Sequence, residues 1–426
     1  MSYQTRDQLI SLEAELNVQY QALKAQNLKL DITRGKPSAD QLSLSDHLDG
    51  FLEGNYLTAD GEDTRNYGNL RGITEVRKLG ADMLNVPADN VIAAGNASLT
   101  LMYICMLHSF YYGARGSENA WSNACKAKMI CPVPGYDRHF SLCENLGVEM
   151  VTVPMREAGP DMDAVEALIE DDDNIVGLWC VPKYSNPTGV VYSDETVERI
   201  AQLGKIAKPW FRVFYDNAYA VHDLSDTPVQ LASLWDRCEA HGTQDSVWQF
   251  GSTSKITFAG AGVSFVAGSN DNLAELQKLL GVIIIGFDKV NQLRHAKMFP
   301  DKQALLTHMS MHAELIRPKF AAVLQALNSE LAEYGSWTQA DGGYFISFDT
   351  EPGLASEVVR LANEAGVKLT PAGATFPYGK DPEDRNIRIA PTLPPLPEVV
   401  KAMEVFVNCV KLATVQKKLR KLLSQN

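Results

Sequence analysis

The sequence lacks the features of a secreted or membrane-bound protein. It contains no run of about 18 or more apolar residues, so we expect no membrane-spanning helix. Its beginning, MSYQTRDQLI, is polar and has no apolar signal core. Its seven cysteines are scattered, and none are spaced as C-x-x-C, which argues against a disulfide framework and against a zinc site. Together these absences predict a cytoplasmic protein without a metal site.

Basic residues are also fewer than acidic ones. The chain has 39 Lys and Arg residues against 52 Asp and Glu residues, for a net charge of −13. This balance argues against nucleic acid or an anionic membrane as the main partner, although a local basic pocket for a small anion is still compatible with it. The remaining composition is ordinary for a globular protein. The length of 426 residues exceeds what one hydrophobic core usually serves, so we expect two domains.

The pattern of apolar residues predicts an α/β fold. Residues 5–29 have helical spacing, with Leu9, Leu12, Leu16 and Tyr20 on one side. From about residue 70, short and nearly continuous apolar runs end in Gly, Pro or Asn and alternate with amphipathic segments. Examples are the segments 90–107, 127–147, 174–189 and 210–220. Such runs are typical of strands covered on both faces, so we predict a mostly parallel central sheet with flanking helices.

The last third of the chain predicts a smaller α+β unit. The segments 272–299 and 308–335 have a helical pattern, and further elements follow in the order strand 342–350, helix 354–366, strands 367–373 and 386–392, and helix 396–420. We predict three parts: an N-terminal segment, 1–50, that packs on the small domain; a large domain, 51–290; and a small C-terminal domain, 291–426.

Polar residues follow the predicted strands at the points where a ligand would bind, because ligands of open α/β sheets lie beyond the carboxyl ends of the strands. These residues are Gly95, Asn96, Ala97 and Ser98, then Tyr136, Asn186, Asp216 with Tyr219, and Ser252 to Lys255. One ligand could contact all of them.

Each of these residues has both an ordinary and a functional interpretation. The turn that ends at Ser98 opens a helix whose free N–H groups suit a phosphate, or it is a simple N-cap. Tyr136 could stack on a planar ring or be a partly buried strand-end tyrosine. Asn186 lies in the turn-forming run SNPTG. Asp216 ends a nearly all-apolar run and so needs a partner, which a helix N-cap, a salt bridge or a ligand could provide. Tyr219, three residues on, could reach the same site.

Lys255 has the most specific surroundings. It lies in 246-SVWQFGSTSKITFAGAG-262, a strand-like run followed by small residues. Burial disfavours a charged lysine, lowers its pKa and makes its amine nucleophilic, and such amines form Schiff bases with carbonyl compounds. A lysine, an acid that pairs with a pyridine nitrogen, and a helix N-terminus for a phosphate together describe a site for pyridoxal 5′-phosphate (PLP).

The sequence resembles the fold-type I PLP-dependent aminotransferases of class I. Seven motifs occur in the family's order: NYGNLRGITEVR with Tyr67, GNAS, PGYDRHF, SNPTG, DNAY, STSK and NIRIAPT. The runs TSKITFAGAGVSF and IGFDKVNQLRH are similar to those of the actinobacterial type of bacterial aspartate aminotransferase, a subgroup akin to the effector domains of MocR regulators. The resemblance covers about residues 30 to 410 and implies a homodimer.

The resemblance assigns roles to the candidate residues. It implies catalytic roles for Lys255, which forms the Schiff base and moves the proton, for Asp216, which pairs with the pyridinium, and for Tyr219. The implied cofactor contacts are Asn186 and Tyr219 at the phenolic oxygen, Tyr136 on the ring, and Asn96, Ala97, Ser98, Ser252, Ser254 and Tyr67 of a second subunit at the phosphate. The implied substrate contacts are Arg388 and Gly35 at the α-carboxylate, with Asn186 nearby.

The sequence departs from the family at the phosphate. The family has an arginine a few residues after the lysine, but here the run reads 260-GAGVS-264. Lys289 and Arg294 are candidates to replace it. The cation that binds a distal substrate carboxylate is open among Arg34, Lys36, Arg138 and Lys289; we favour Arg34 and Lys36 because they flank Gly35.

The resemblance predicts transamination between L-aspartate and 2-oxoglutarate by a ping-pong mechanism, with amino acids and 2-oxo acids as partners. One alternative is another amino donor (alanine, an aromatic amino acid or kynurenine), and others are a β-lyase or a decarboxylase. A non-catalytic PLP-binding sensor like the MocR regulators is a further alternative. We expect it less, because only some thirty residues precede the RGKP loop and the chain is acidic.

Overall fold

The computed structural model describes residues 5–424; residues 1–4 and 425–426, the ends of the predicted first and last parts, lie outside the described residues. The helices are α1 (Arg6–Lys24), α2 (Ala39–Ser43), α3 (Thr74–Leu84), α4 (Ser98–Leu107), α5 (Asp137–Leu146), α6 (Met162–Asp171), α7 (Asp194–Ile206), α8 (Leu234–His241), α9 (Asn270–Ile283), α10 (Lys289–Met298), α11 (Lys302–Glu330), α12 (Ala355–Glu364) and α13 (Leu396–Ser424). Within residues 5–424, none of these helices has the length and apolar character needed to cross a membrane.

The strands are β1 (Leu30–Asp31), β2 (Val91–Ala93), β3 (Lys128–Val133), β4 (Glu149–Arg156), β5 (Gly159–Pro160), β6 (Ile175–Cys180), β7 (Arg212–Asp216), β8 (Val247–Ser252), β9 (Ser264–Ala267), β10 (Gly335–Trp337), β11 (Ile346–Thr350), β12 (Val367–Lys368) and β13 (Asn386–Ile389). Most of them belong to a mixed sheet with the order β2-β9-β8-β7-β6-β3-β4-β5. Neighbouring strands from β8 to β4 are parallel, whereas β9 runs antiparallel to β2 and β8.

Helices cover both faces of this sheet, which explains why its central strands are apolar throughout. Every residue of β6 and of β7 is buried. One core joins the sheet to α4, α5 and α9, and a second joins it to α6, α7 and α8. The predicted α/β class with a mostly parallel central sheet is therefore confirmed.

The C-terminal part has its own antiparallel sheet, with the order β10-β11-β13. Helices α12 and α13 pack beside it, and α1 packs along α13. Strand β1 pairs in parallel with β12, so the N-terminal segment also adds a strand to this part. Leu305 and Met309 of α11 pack with the large-sheet side, whereas Ala313 and Ile316 pack with the C-terminal core. The predicted boundaries at residues 50 and 290 stay predictions.

The structure corrects the prediction of one continuous helix over 272–299. Helix α9 ends where Ile284 adopts an extended conformation (φ −150°, ψ 147°), and Asp288 caps a new helix by accepting a hydrogen bond from the N–H of Asn291 at 2.9 Å. The intervening Gly286 lies so close to the carbonyl oxygen of Gly68 that a Cβ atom would overlap with it. The strands predicted at 367–373 and 386–392 are also shorter, at 367–368 and 386–389.

Candidate active site

A cavity of about 270 Å³ lies beyond the carboxyl ends of β6, β7 and β8. It brings together residues from eight separate parts of the sequence. Of the predicted site residues, it is lined by Arg34, Gly35, Lys36, Ser98, Tyr136, Arg138, Asn186, Asp216, Tyr219, Ser252, Lys255 and Arg388. Leu99, Met102, Asp137, Val181, Ala218 and Phe345 complete the lining. The search at predicted strand ends therefore identifies most of the polar wall.

Lys255 lies in the turn that follows β8, with its Nζ 4.9 Å from the centre of the Tyr219 ring. Burial lowers the pKa of this amine, and the charge of Asp216 opposes part of the shift. The amine forms no hydrogen bond or ion pair with any residue between 5 and 424. An unpaired amine with a lowered pKa loses its proton more readily, and the free amine is a nucleophile and a proton acceptor.

Asp216, the last residue of β7, is 3% exposed and is held by a histidine. Its Oδ2 accepts a hydrogen bond from Nε2 of His139 at 3.0 Å, and the imidazole of His139 stacks on the indole of Trp179 (4.0 Å between centres, 6° between planes). The other oxygen, Oδ1, is buried and accepts no hydrogen bond from the described part of the chain. A buried carboxylate oxygen without a donor is costly, so this atom is available to a donor from a ligand.

The sequence analysis does not identify His139. It lies in the same PGYDRHF motif as Tyr136 and three residues after it, on the first turn of α5. Tyr136 is the N-cap residue of α5, and the centres of the two rings lie 4.9 Å apart. The spacing is the available signal, but the stacking on Trp179 cannot be deduced from the sequence.

Two tyrosines in the cavity keep their hydroxyl protons. Burial, with a smaller contribution from the charge of Asp216, raises the pKa of Tyr136 to about 12. Burial raises the pKa of Tyr219 well above its usual value. The hydroxyl of Tyr219 has no hydrogen-bond partner within residues 5–424. Both groups are therefore phenols that can donate a hydrogen bond to a ligand at neutral pH.

Arg388, on β13, reaches into the cavity from the C-terminal part and is 7% exposed. Its Nη1 donates to Asn186 Oδ1 at 3.1 Å and to Asp137 Oδ1 at 3.0 Å. The guanidinium lies 5.0 Å from the centre of the Phe345 ring. Its Nη2 makes no hydrogen bond with residues 5–424, so this nitrogen is available to a carboxylate.

The loop around Gly35 forms another wall of the cavity. A Cβ atom at Gly35 would lie 2.6 Å from Cζ of Phe345, so only glycine permits this close approach. Arg34, Lys36 and Arg138 are at the mouth, and none forms an ion pair with a residue between 5 and 424. Three cations without acidic partners make the entrance attractive to an anionic substrate.

A different part of the cavity has the features of an anion site without a cation. Ser98 begins α4, and the cap position before it, Ala97, has no side chain that could bond the free N–H groups of the first turn. Ser252 lines the cavity as well. Asn96, Ala97 and Ser254 do not line the cavity but are close in sequence to residues that do. Ser254 Oγ donates to the main-chain oxygen of Asn96 at 2.6 Å, which joins the two segments beside the cavity.

Three further predicted residues lie away from the cavity of the chain. Tyr67 is 81% exposed at the surface. Lys289 is buried against Glu62 and the carbonyl oxygen of Tyr67, and Arg294 lies 3.5 Å from Asp49. Lys289 and Arg294 are thus paired with acids distant in sequence. The predictions that either replaces the missing arginine, or that Lys289 binds a distal carboxylate, stay predictions.

Comparison with known proteins places the chain in a family. The family model for aspartate aminotransferases matches residues 4–422. The aspartate aminotransferase of Corynebacterium glutamicum is 46% identical over 405 residues, which cover 94% of this chain and 93% of that protein.

Solved structures agree with this match. The crystal structure of an aspartate transaminase from Corynebacterium glutamicum superimposes with a TM-score of 0.93 at 44% identity and covers 96% of this chain and 97% of its own. An alpha-aminoadipate aminotransferase from Thermus thermophilus superimposes with a TM-score of 0.74 at 20% identity, over 92% of this chain and 93% of its own, and shows the same fold. The chain therefore belongs to the aspartate aminotransferase family, and it is an aminotransferase.

Proposed function

We propose that the enzyme uses PLP to transfer the amino group of L-aspartate to 2-oxoglutarate, with oxaloacetate and L-glutamate as products, in two successive half-reactions. PLP dependence is implied by membership of the family. The observation that carries the proposal is the joint presence, in one cavity, of the unpaired amine of Lys255, the donor-free Oδ1 of Asp216 and the free Nη2 of Arg388.

The residues present fit PLP. Oδ1 of Asp216 would accept a hydrogen bond from the protonated ring nitrogen, Tyr136 would stack on the ring, and Asn186 and Tyr219 would bond its phenolic oxygen. The phosphate would lie at the start of α4, with Asn96, Ala97, Ser98, Ser252 and Ser254 around it. When bound, PLP supplies an electron sink that makes the α-proton of an amino acid removable.

The chain's own residues would then orient the substrate and move its proton. Arg388 would bind the α-carboxylate through Nη2, together with the N–H of Gly35, because a guanidinium holds a carboxylate in a defined plane. Burial lowers the pKa of Lys255. Its amine would take the proton from the α-carbon of the substrate and deliver it to the cofactor carbon. Asp216, oriented by His139, would keep the ring nitrogen protonated.

The preference for aspartate rests on charge. A dicarboxylate substrate needs a second cation beyond Arg388, and Arg34, Lys36 and Arg138 all line the cavity without acidic partners in the described chain. Arg34 and Lys36 stay our first choice because they flank Gly35. The name of the Corynebacterium glutamicum relative supports the same substrate. We also infer that the chain belongs to the subgroup akin to MocR effector domains, on the runs TSKITFAGAGVSF and IGFDKVNQLRH.

We further propose a cytoplasmic homodimer with shared active sites. Tyr67 would reach the phosphate of the neighbouring subunit, which explains why such a large aromatic side chain lies 81% exposed on a single chain. Val282, Ile283 and Ile285 are exposed as well and directly precede Gly286, which lies against Gly68 in the Tyr67 loop. A group of exposed apolar residues is typical of an interface. The seven free cysteines fit a reducing compartment.

The test is an absorbance spectrum of the purified protein, recorded before and after addition of L-aspartate. We expect a visible band that shifts to shorter wavelength with aspartate and returns with 2-oxoglutarate. Lys255→Ala should remove the visible band of the lysine-bound cofactor and abolish turnover, with an unchanged circular dichroism spectrum. If aspartate leaves the band unchanged and alanine or kynurenine shifts it, that compound is the amino donor and aspartate is not. Turnover at the wild-type rate in Lys255→Ala would rule out the Schiff-base role.

A further inference from the structure

A group of buried polar side chains lies directly behind Lys255. Gln41, on the short helix α2, is fully buried, and its Nε2 donates to the hydroxyl of Tyr344 at 2.9 Å and to Nδ1 of His312 at 3.1 Å. The hydroxyl of Tyr344 in turn donates to the main-chain oxygen of Lys255 at 3.3 Å. One amide thus reaches the lysine's own peptide through a single side chain.

Two histidines hold the next peptide. Nε2 of His312 lies 2.9 Å and Nε2 of His308 lies 2.8 Å from the carbonyl oxygen of Ile256. The two nitrogens are only 3.1 Å apart because they converge on one acceptor. Since Gln41 donates to Nδ1 of His312, the proton of that imidazole is on Nε2, where it can be donated to Ile256. Burial lowers the pKa of both histidines, so both are neutral near pH 7.

Gln41 also fixes the start of helix α2, which follows the loop of residues 34–36. Its Oε1 accepts a hydrogen bond from the N–H of Ser38 at 3.0 Å, and Ser38 Oγ accepts one from the N–H of Gln41, which forms a capping box two residues after Lys36. The neighbour of Tyr344 in sequence, Phe345, is the ring that contacts Gly35.

We propose that Gln41, Tyr344 and His312 form a positioning network that couples the substrate loop of residues 34–36 to the main chain of Lys255. The network rests on the proposed function, because its purpose is to hold the amine of Lys255 in register with a carboxylate bound at Gly35. These three residues do not line the cavity and are positioning residues, not catalytic ones.

The turn that carries Lys255 is held partly by its own hydrogen bonds and partly by side chains of other elements, among them His295, whose Nε2 lies 2.8 Å from Thr257 Oγ1. Within it, the N–H groups of Ile256 and Thr257 both donate to the carbonyl oxygen of Thr253, at 2.8 and 2.9 Å. The main-chain oxygen of Lys255 accepts a hydrogen bond from Tyr344. The main-chain oxygen of Ile256 lies within hydrogen-bond distance of His308 and His312. Removing the donors of Gln41 lets Tyr344 and His312 reorient, and the turn then loses contacts that define its position.

The network is tested with Gln41→Met, which removes both donors and keeps a side chain of similar size. The matched control is Gln292→Met. Gln292 is also fully buried, and its side chain accepts a hydrogen bond from the N–H of Ile73 and donates one to the main-chain oxygen of Ala93. It forms no hydrogen bond with the turn of Lys255 in the described chain. Both variants should lose similar stability.

The first readout is hydrogen–deuterium exchange of the cofactor-free protein, which needs no assumption about activity. We expect amides of residues 255–257 to exchange roughly tenfold faster in Gln41→Met and at the wild-type rate in Gln292→Met. The second readout is the pH titration of the visible band of the PLP-loaded protein, whose midpoint should move in Gln41→Met only. Tyr344→Phe, which deletes a single hydroxyl, should move the titration midpoint in the same direction. It replaces Gln41→Met in the test if that variant does not fold.

Wild-type exchange at residues 255–257 and an unmoved titration in Gln41→Met would overturn the proposal, since a merely structural glutamine behaves like Gln292. The two readouts also separate the proposals. A protein without any PLP band in the wild type contradicts the proposed function, whereas the exchange experiment reports on the network in either case.

Discussion

Arg388 uses only part of its guanidinium on the protein. Its Nη1 is shared between Asn186 and Asp137, and its Nη2 is free within the described chain. An ammonium in its place could keep a contact with these oxygens but could not present a second, coplanar donor to a substrate. We therefore predict that Arg388→Lys lowers kcat/KM for aspartate by roughly 30- to 150-fold, which corresponds to about 2–3 kcal/mol.

Steady-state kinetics with L-aspartate and with 2-oxoglutarate check this prediction. Arg385→Lys is the control. Arg385 lies on the same segment as Arg388 but pairs with Glu383 at 2.9 Å near the surface. The kcat/KM of this variant should stay at the wild-type value. If Arg388→Lys changes kcat/KM by less than about twofold, Arg388 does not bind the substrate carboxylate.

At the scale of single residues, the sequence predicts the polar side chains at strand ends and misses those whose role depends on distant parts of the chain. Lys255, Asp216 and Asn186 are predictable because parallel strands bring their carboxyl ends to one edge. His139 is not, because its function depends on the Trp179 ring beneath it. The pairing of Lys289 is not predictable either, because its acid, Glu62, is 227 residues away in the sequence.

Among the elements, helix α1 ties the beginning of the chain to its end. Leu16 is buried in the C-terminal core, and the main-chain oxygen of Leu16 accepts a hydrogen bond from Asn408 of α13 at 3.3 Å. Truncation of this side chain leaves a cavity between the two helices. We predict that Leu16→Ala lowers the free energy of unfolding by about 2–4 kcal/mol.

Urea unfolding followed by circular dichroism measures this loss. Val18→Ala is the matched control, since Val18 lies on the same helix with 72% of its surface exposed and should change the free energy by less than about 0.5 kcal/mol. Equal effects of the two substitutions would show that α1 is not docked on α13.

The element order is predictable where one pattern dominates a segment. Helices α1, α12 and α13 and the strands of the central sheet follow their apolar periodicity. The break between α9 and α10 is not predictable in this way, because the apolar run that ends at Ile285 continues the helical pattern. It depends on the cap at Asp288 and on the contact of Gly286 with Gly68, and the second of these is a tertiary contact.

For the molecule as a whole, buried neutral histidines make stability depend on pH. Burial lowers the pKa of His295 and of His312 from 6.5 to about 4. The unfolded chain therefore binds protons below pH 6.5 that the folded chain does not bind, so this stability is complete above pH 6.5 and is lost as the pH falls toward 4. Each histidine should contribute a slope of about 1.4 kcal/mol per pH unit across that window.

Urea unfolding at several pH values between about 4.5 and about 7.5 measures the slope. His295→Gln should be less stable than the wild type at the upper end of this range but should lose less stability on acidification. An unchanged slope in His295→Gln would mean that His295 is protonated in the folded protein.

The proposal that two subunits share their active sites can be tested with hybrid dimers. If Tyr67 acts across the interface, a dimer of one Lys255→Ala subunit and one Tyr67→Ala subunit contains one site with both residues intact: its lysine comes from the second subunit and its tyrosine from the first. We predict that such hybrids, isolated with two affinity tags, have about half the wild-type kcat and bind PLP at that site with wild-type affinity. If Tyr67 instead acts within its own subunit, no site is intact, and the activity falls to the mean of the two parent variants. The exposed position of Tyr67, outside the cavity of its own chain, favours the first outcome.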